Sequence, residues 1–96
     1  MINQITFVGR LKEMITQDDY YIIKIEVPRY FKRENNTKHS DIITLTKYGI
    51  NQLIEEQMEI DNIVGVRGHI ETDDNEIMTN VIDRLTFLSS KKRSNK

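Results

Sequence analysis

The sequence predicts an all-β domain in which five strands close into a small barrel, with one helix between strands 3 and 4. Two runs of apolar alternation carry glycine and arginine inside them, Val8-Gly9-Arg10-Leu11 and Val64-Gly65-Val66-Arg67-Gly68. A glycine inside a strand marks a bend or the close approach of another backbone, and small barrels need such bends. Polar turns separate the other alternating runs, and only one segment has helical spacing.

The first three strands are predicted from period-2 alternation. The first covers residues 2–11 and is long enough to curl and pair on both sides of the barrel. The second is Tyr20–Phe31, whose Pro28 cannot donate to a sheet ladder and should end its pairing. Its inward set is Tyr21, Ile23, Ile25 and Val27. A polar loop, Arg33–Ser40, leads into the third strand, Asp41–Tyr48.

After Gly49 the period changes to that of a helix. The apolar residues at this spacing are Ile50, Leu53, Ile54 and Met58, so a helix is predicted from about Ile50 to Glu59. The fourth strand is Ile63–Thr72, and the fifth is Ile77–Leu88. The inward set of the fifth strand is Ile77, Thr79, Val81, Leu85 and Phe87. Asp83 interrupts this set, which marks a bulge or the barrel rim. The element order is that of the OB-fold, a five-stranded Greek-key barrel.

Composition indicates a single globular domain. The chain has 96 residues, of which 38% are hydrophobic and 30% charged, and it contains no cysteine. We predict an OB-fold domain over residues 1–88 and a flexible basic tail over residues 89–96, which has no apolar anchor. No apolar run approaches the roughly 20 residues of a membrane helix. We therefore expect a cytoplasmic protein.

The charge is unevenly distributed although the net charge is only −1. The segment from Arg29 to His39 holds four basic residues against one acid, and the tail is also basic. The segment from Glu55 to Asp83, by contrast, is strongly acidic. One part of the molecule could therefore face phosphate groups while another repels them.

The end of the second strand combines aromatic and basic side chains. Tyr30 and Phe31 are followed directly by Lys32 and Arg33. Single-stranded nucleic acid is bound by such a combination of stacking rings and cations. Adjacent residues of a strand point to opposite faces, so one ring should be available, and the sequence does not say which. The alternative is that both rings pack under the loop, but the basic neighbours favour the binding role.

Catalysis finds no support in the sequence. The two histidines, His39 and His69, lack metal-ligand spacing, and there is no thiolate, nucleophile elbow or phosphate-binding glycine loop. We therefore predict no enzymatic activity, no cofactor and no metal.

Over residues 1–88 the chain resembles the bacterial single-stranded DNA-binding proteins. The resemblance is carried by Met1-Ile2-Asn3, by Val8-Gly9-Arg10-Leu11 and by the Val64–Gly68 run. It implies single-stranded DNA binding largely without sequence specificity, in replication, recombination or repair. It also implies a homo-oligomer, a dimer or tetramer that pairs through the first strand, and replication proteins as further partners. Members of that family commonly end in an acidic tip, and the basic end here makes a tip-mediated recruiting role doubtful.

The resemblance also implies the positions of the binding residues. One aromatic stacker precedes the loop after the second strand, where Tyr30 and Phe31 lie, and another closes the third strand, where Tyr48 precedes Gly49. The remaining candidates are basic residues for phosphate contacts: Arg10, Lys32, Arg33, Lys47 and Arg67. Two family stackers are missing, since Ile42 and an acidic turn stand in their places.

Two alternative functions stay open. The near-neutral charge and the missing stackers favour an OB-fold protein-interaction module that resembles small primosome components. An RNA-binding OB domain is not separable from a DNA-binding one by sequence. The basic tail either adds phosphate contacts or is only a solvated end.

Overall fold

A computed structural model of the protein describes residues 2–29 and 39–89. Its elements, in chain order, are β1 (Ile5–Thr16), β2 (Tyr20–Pro28), β3 (Ser40–Tyr48), α1 (Gln52–Gln57), β4 (Ile63–Thr72) and β5 (Met78–Ser89). The strands form a closed barrel in the order β1-β2-β3-β5-β4. The predicted five-stranded barrel, with one helix between strands 3 and 4, is confirmed.

Strand β1 closes the barrel because it pairs with two partners. Its residues Ile5 to Arg10 run antiparallel to β4, and from Arg10 to Thr16 it runs antiparallel to β2. A bulge at Lys12 lies just beyond the point where the partners change. Strand β1 begins three residues later and ends five later than the predicted 2–11. Before it, the Asn3 side chain continues the ladder by accepting from the Ile70 N–H at 3.0 Å and donating to the Ile70 carbonyl.

Two of the three strand glycines lie where another backbone crosses. A methyl group at Gly9 would overlap the carbonyl oxygen of Glu26 in β2, and one at Gly68 would overlap that of Val81 in β5. The predicted close approach is therefore confirmed at these two positions. At Gly65 a methyl group would meet only the Leu88 side chain, 3.4 Å away.

The barrel interior is filled by alternate residues of the strands. The buried cluster consists of Leu11, Tyr21, Ile23, Ile25, Leu45, Val64, Val66 and Ile82. Full burial of side chains of this size stabilises the fold by about 1.5–3 kcal/mol each. The inward set predicted for β2 is confirmed, with Val27 packed at the edge of the cluster.

Helix α1 is shorter than predicted and closes one end of the barrel with only part of its apolar set. It covers Gln52–Gln57 rather than about Ile50 to Glu59. Ile54 and Met58 pack against the core, but Ile50 and Leu53 are 47% and 67% exposed. The prediction that all four face inward is wrong, because the helix begins only at Gln52, which leaves Ile50 outside it, and because Leu53 lies about 100° around the helix axis from Ile54.

Side chains on both sides hold the helix in place. The Asn51 side chain accepts a hydrogen bond from the Leu53 N–H at 2.8 Å, which caps the helix N-terminus. The buried Tyr21 hydroxyl donates to Glu55 Oε2 at 2.7 Å and accepts from the Asn51 N–H at 2.9 Å. Burial raises the pKa of Tyr21, so the hydroxyl stays protonated. These bonds join β2 to the start of α1.

Strand ends differ from the predictions in two places. β2 ends at Pro28 instead of Phe31, as expected of a residue that lacks the N–H a further ladder bond would need. β5 begins at Met78, and Ile77, predicted to face inward, is 61% exposed in the preceding turn. Asp83 is the extra residue of a bulge, as predicted, and both Val81 and Ile82 just before it are buried.

Two carboxylates contact His69 on the outer face of β4 and β5, Glu71 from the same strand and Asp83 from the bulge. His69 Nδ1 lies 2.9 Å from Asp83 Oδ2, and His69 Nε2 lies 2.7 Å from Glu71 Oε2. The hydrogen bonds to Asp83 and then Glu71 raise the pKa of His69 above its ordinary 6.5.

In the part of the chain that the structure describes, no helix is long and apolar enough to cross a membrane.

Candidate functional site

The outer face of β2 and β3 carries a pair of tyrosines at one end of the two strands. Tyr20 and Tyr48 lie directly opposite each other in the ladder, with ring centroids 6.0 Å apart and ring planes at 53°. Tilted aromatic pairs at this separation attract each other. The Tyr48 side chain is still 54% exposed. A base could therefore stack on a ring that a second ring already supports.

The backbone around Tyr48 is held firmly. Tyr48 is the last residue of β3, and Gly49 follows with φ +90°, a conformation that favours glycine. The Gly49 N–H donates to the Asp19 carbonyl at 2.9 Å, which ties this strand end to the β1–β2 turn. Lys47 lies on the opposite face of β3, across from Tyr21, and its ammonium donates to the Tyr48 carbonyl at 3.1 Å. The structure therefore places Tyr48 on the outer face of β3 and Lys47 on its inner face.

Arg10 lies in a groove at the other end of β2 and β3. This groove, called the Arg10 groove below, has a volume of about 440 Å³. Its outer-face lining consists of Val8, Arg10, Glu26, Pro28, Ser40 and Ile63, with His39 beside them. From Tyr20 to Glu26 the chain advances six residues along β2, about 20 Å at strand spacing. The groove and the tyrosine pair therefore lie at opposite ends of one face.

The carboxylates near the Arg10 groove already have partners. Glu26 accepts from Ser40 Oγ at 2.7 Å and lies 3.8 Å from Lys12 Nζ. Asp61 lies 3.4 Å from the same ammonium. Arg10 makes only a 3.3 Å hydrogen bond to the Asp61 carbonyl and has no ion pair among the described residues. It is thus an exposed cation available to an anion.

Arg29, part of the basic stretch in the sequence, is engaged within the fold. Its guanidinium donates two hydrogen bonds to Asp41, at 2.9 and 2.7 Å, and these raise the pKa of Arg29. The Arg29 N–H donates to the His39 carbonyl at 2.9 Å. This bidentate pair holds β2 and β3 together at the base of their connection.

The remaining predicted site residues lie either on another face of the barrel or outside the described residues. Arg67 lies on the outer face of β4, opposite Thr6 of β1 and Arg84 of β5, and not on the face that carries Tyr48. Tyr30, Phe31, Lys32 and Arg33 lie outside the described residues. So does the tail from residue 90 onward.

Sequence reasoning missed two residues of these surfaces. By sequence Tyr20 is a surface or interface residue, and only the register of β2 against β3 places it opposite Tyr48. The position of Arg84 opposite Arg67 depends on the bulge, which strand alternation does not reveal. No cluster of His, Cys, Asp or Glu that could hold a metal ion is found among residues 2–29 and 39–89.

Comparison with known proteins identifies the architecture. No family model and no curated protein matches the sequence. Among solved structures, the N-terminal domain of PriB from Thermoanaerobacter tencongensis superposes with a TM-score of 0.65 at 20% identity, covering 92% of this chain and 98% of that one. The chain has an OB-fold. Because only 20% of the residues are identical, this structural similarity shows the fold alone.

Two further OB-fold neighbours are named as single-stranded DNA-binding proteins. The mitochondrial protein of S. cerevisiae gives a TM-score of 0.67 at 15% identity, with 94% of this chain and 97% of that chain covered. The small protein of Mycoplasma pneumoniae gives 0.65 at 14% identity, with 99% and 100% covered. The neighbours thus confirm, at the level of the fold, the resemblance seen in the sequence.

Proposed function

We propose that this OB-fold protein binds single-stranded DNA largely without sequence specificity and protects it during replication, recombination or repair. The observation that carries the proposal is Tyr48, half-exposed and supported by Tyr20 on the outer face of the barrel. The structural neighbours named as single-stranded DNA-binding proteins support it. The proposed action is binding alone, without catalysis.

In the proposed mode a base stacks on Tyr48 and a phosphate contacts Arg10. A stacked base contributes about 1–3 kcal/mol, and every base offers an aromatic face, so stacking does not select a sequence. Arg10 pairs with no carboxylate of the described residues, so none has to be released there before it meets a phosphate. Tyr30 or Phe31 as a second stacker, with Lys32 and Arg33 beside it, stays part of the proposal.

Lys47 and Arg67 enter the proposal in different ways. The Lys47 ammonium bonds to the Tyr48 carbonyl, so a phosphate contact requires the ammonium to leave that oxygen. Arg67 faces outward from another part of the barrel. With a net charge of −1 the chain as a whole does not attract DNA, so affinity depends on these local cations and falls as salt rises.

We further propose that the protein assembles as a dimer or tetramer through β1 and acts in the cytoplasm, with replication proteins as partners. Pairing with β2 begins only at Arg10, so one edge of β1 from Ile5 to Val8 pairs with no described strand. An open edge is a template for pairing with another strand. One structural neighbour is described as dimeric.

A second candidate function is supported by the groove between β3 and β5. These strands pair only at Thr46 and Val81, and a groove of about 390 Å³ opens where they diverge. Its described lining carries no charge, and Ile42 and Met78 are 48% and 63% exposed. Such a surface favours contact with a protein, in line with the interaction-module alternative.

Fluorescence anisotropy with labelled oligo-dT tests the proposal, with duplex DNA and RNA as competitors at low and moderate salt. Tyr48→Ala should weaken binding about 5- to 150-fold, the equivalent of one lost stack of about 1–3 kcal/mol. Leu53→Ala is the control, because it truncates an apolar residue on α1 that is even more exposed than Tyr48. Equal affinity in the two variants would refute the stacking role. No binding even at low salt would refute DNA binding and favour the protein partner, and a preference for RNA would favour an RNA-binding domain.

A further inference from the structure

Two arginines lie side by side on the outer face of β4 and β5. Arg67 and Arg84 are directly opposite each other in the antiparallel ladder, and both are exposed. Residues so placed have Cβ atoms about 4.5–5.5 Å apart, and like charges in this position destabilise the sheet. An anion between the two guanidinium groups would remove that repulsion.

No described carboxylate supplies this anion. Asp83 is the neighbour of Arg84 in sequence, but its Oδ2 lies 2.9 Å from His69 Nδ1. Glu71, on the same face, lies 2.7 Å from the other ring nitrogen of His69. Neither arginine forms an ion pair within residues 2–29 and 39–89. The pair is therefore available to a ligand.

An apolar groove adjoins the two arginines. This arginine groove has a volume of about 300 Å³. Its outer-face lining is Thr6, Val8, Gly65, Thr86 and Leu88, together with the arginines, and it includes no described carboxylate. Val8 and Leu88 are 54% and 52% exposed. A ligand that combines negative charge with a flat apolar part fits this surface.

We propose that the arginine groove is a second contact site for single-stranded DNA, with a phosphate on Arg67 and Arg84 and a base against Val8 and Leu88. This inference rests on the proposed function. The arginine groove has no described lining residue from β2 or β3, so it is separate from the tyrosine pair. The proposal adds Arg84 to the residues that contact DNA.

The two grooves form one continuous path. Both are lined by Val8, and from Arg10 to Thr6, which lies beside Arg67, β1 advances four residues, about 13 Å. A strand that leaves Arg10 can thus cross β1 and reach the arginine pair. This continuity favours a long polymer of phosphates over an acidic peptide. The hydroxyls of Thr6 and Thr86 can donate to the same phosphate oxygens.

The test is the salt dependence of affinity on two lengths of oligo-dT. The short one has about 4 nucleotides, the lower limit of what one OB-fold covers, and the long one about 30, well above the upper limit of roughly 16. Each phosphate contact on a single strand adds about 0.7 to the slope of log K against log salt. Because the two arginines share one phosphate, Arg67→Gln/Arg84→Gln should lower the slope on the long oligonucleotide by about 0.7 and leave that on the short one near the wild-type value.

Two control variants separate contact from charge. Arg67→Lys/Arg84→Lys keeps both cations and should keep most of the slope. Lys12→Gln/Lys24→Gln removes the same total charge from lysines that pair with carboxylates, and it should change the slope less. Thermal unfolding checks the fold. Arg67→Gln/Arg84→Gln should melt no lower than the wild type because it removes a like-charge pair.

The outcomes distinguish this inference from the proposed function. If the wild type binds both oligonucleotides and Arg67→Gln/Arg84→Gln keeps the wild-type salt dependence on the long one, the second site is refuted while DNA binding stands. A groove that takes an acidic peptide would give this same result. If the wild type binds neither oligonucleotide, the proposed function fails and this inference fails with it.

Discussion

Replacing Gly68 by alanine should destabilise the barrel strongly, because the added methyl group meets backbone and not a side chain. The three nearest atoms are the carbonyl oxygen of Val81, its carbonyl carbon at 3.0 Å and the Ile82 Cα at 3.3 Å. All three belong to β5, which is held in the ladder on both sides of the bulge. Relief therefore requires the strand itself to move.

The magnitude follows from this geometry. Overpacking of a core costs about 1–3 kcal/mol when side chains can adjust, and sometimes more. Because the obstacle here is a paired backbone, we expect Gly68→Ala to lower the free energy of unfolding by about 3 kcal/mol or more. This is a large part of the roughly 5–15 kcal/mol that holds a domain of this size.

Gly65→Ala is the matched control on the same strand. Its methyl group would lie 3.4 Å from Leu88 Cδ1, an ordinary contact with a flexible side chain. Alanine also loses less conformational entropy on folding than glycine, so this change should be neutral or stabilising by up to about 1 kcal/mol. The two variants should thus differ by about 3–4 kcal/mol.

Urea denaturation followed by circular dichroism measures this difference. With the slopes of about 1–3 kcal/mol/M that are usual for small proteins, the midpoints should lie at least about 1 M apart. If Gly68→Ala unfolds within about 0.5 kcal/mol of Gly65→Ala, the crossing of β4 and β5 is looser than the structure shows and the reasoning is refuted.

Two further predictions concern single side chains. His69 has its pKa raised by Asp83 and Glu71, so its contribution to stability is complete below the ordinary value of 6.5 and is lost as pH rises through the folded-state pKa. Urea midpoints of the wild type should exceed those of His69→Gln at acidic pH and converge at alkaline pH; a constant gap would contradict this. Asn51→Ala should cost about 1 kcal/mol by removing the cap on Leu53 N–H, whereas Asn51→Asp should cost little, as thermal unfolding can show.

The element order was predictable from sequence because period-2 alternation marks the buried face of each strand. The run Tyr21, Ile23, Ile25 lies in the core as predicted. The role of each glycine was not predictable. Gly65 and Gly68 stand in the same strand with apolar neighbours, and only the crossing point of β5 decides which of them lacks room for a side chain.

The helix shows a similar limit. Helical spacing correctly predicted that the segment after Gly49 is helical, but it included Ile50 and Leu53 in the buried face. The structure buries only the stripe of Ile54 and Met58, because Asn51 caps the helix and Tyr21 fixes its start on the barrel. Spacing defines a face, whereas the length of the helix is set by contacts from elsewhere in the chain.

For the candidate site, position in the strand was predictable and cross-strand register was not. Tyr48 was identified because it closes a strand directly before a glycine, and it is exposed there. Its support by Tyr20 required the pairing of β2 with β3. The sequence also grouped Arg67 with Tyr48, although the barrel places them on different parts of its surface.

The bulge at Asp83 links the stability of β4 and β5 to the charge on their outer face. Without an extra residue, a ladder that pairs Gly68 with Ile82 would continue by placing Asp83 opposite Arg67, an attractive pair. The bulge instead turns Asp83 to His69 and sets Arg84 opposite Arg67. It requires the close crossing that only glycine permits at position 68. One inserted residue thus satisfies a histidine and leaves two arginines without a carboxylate partner among the described residues, an arrangement that costs stability and is the basis for the anionic ligand proposed above.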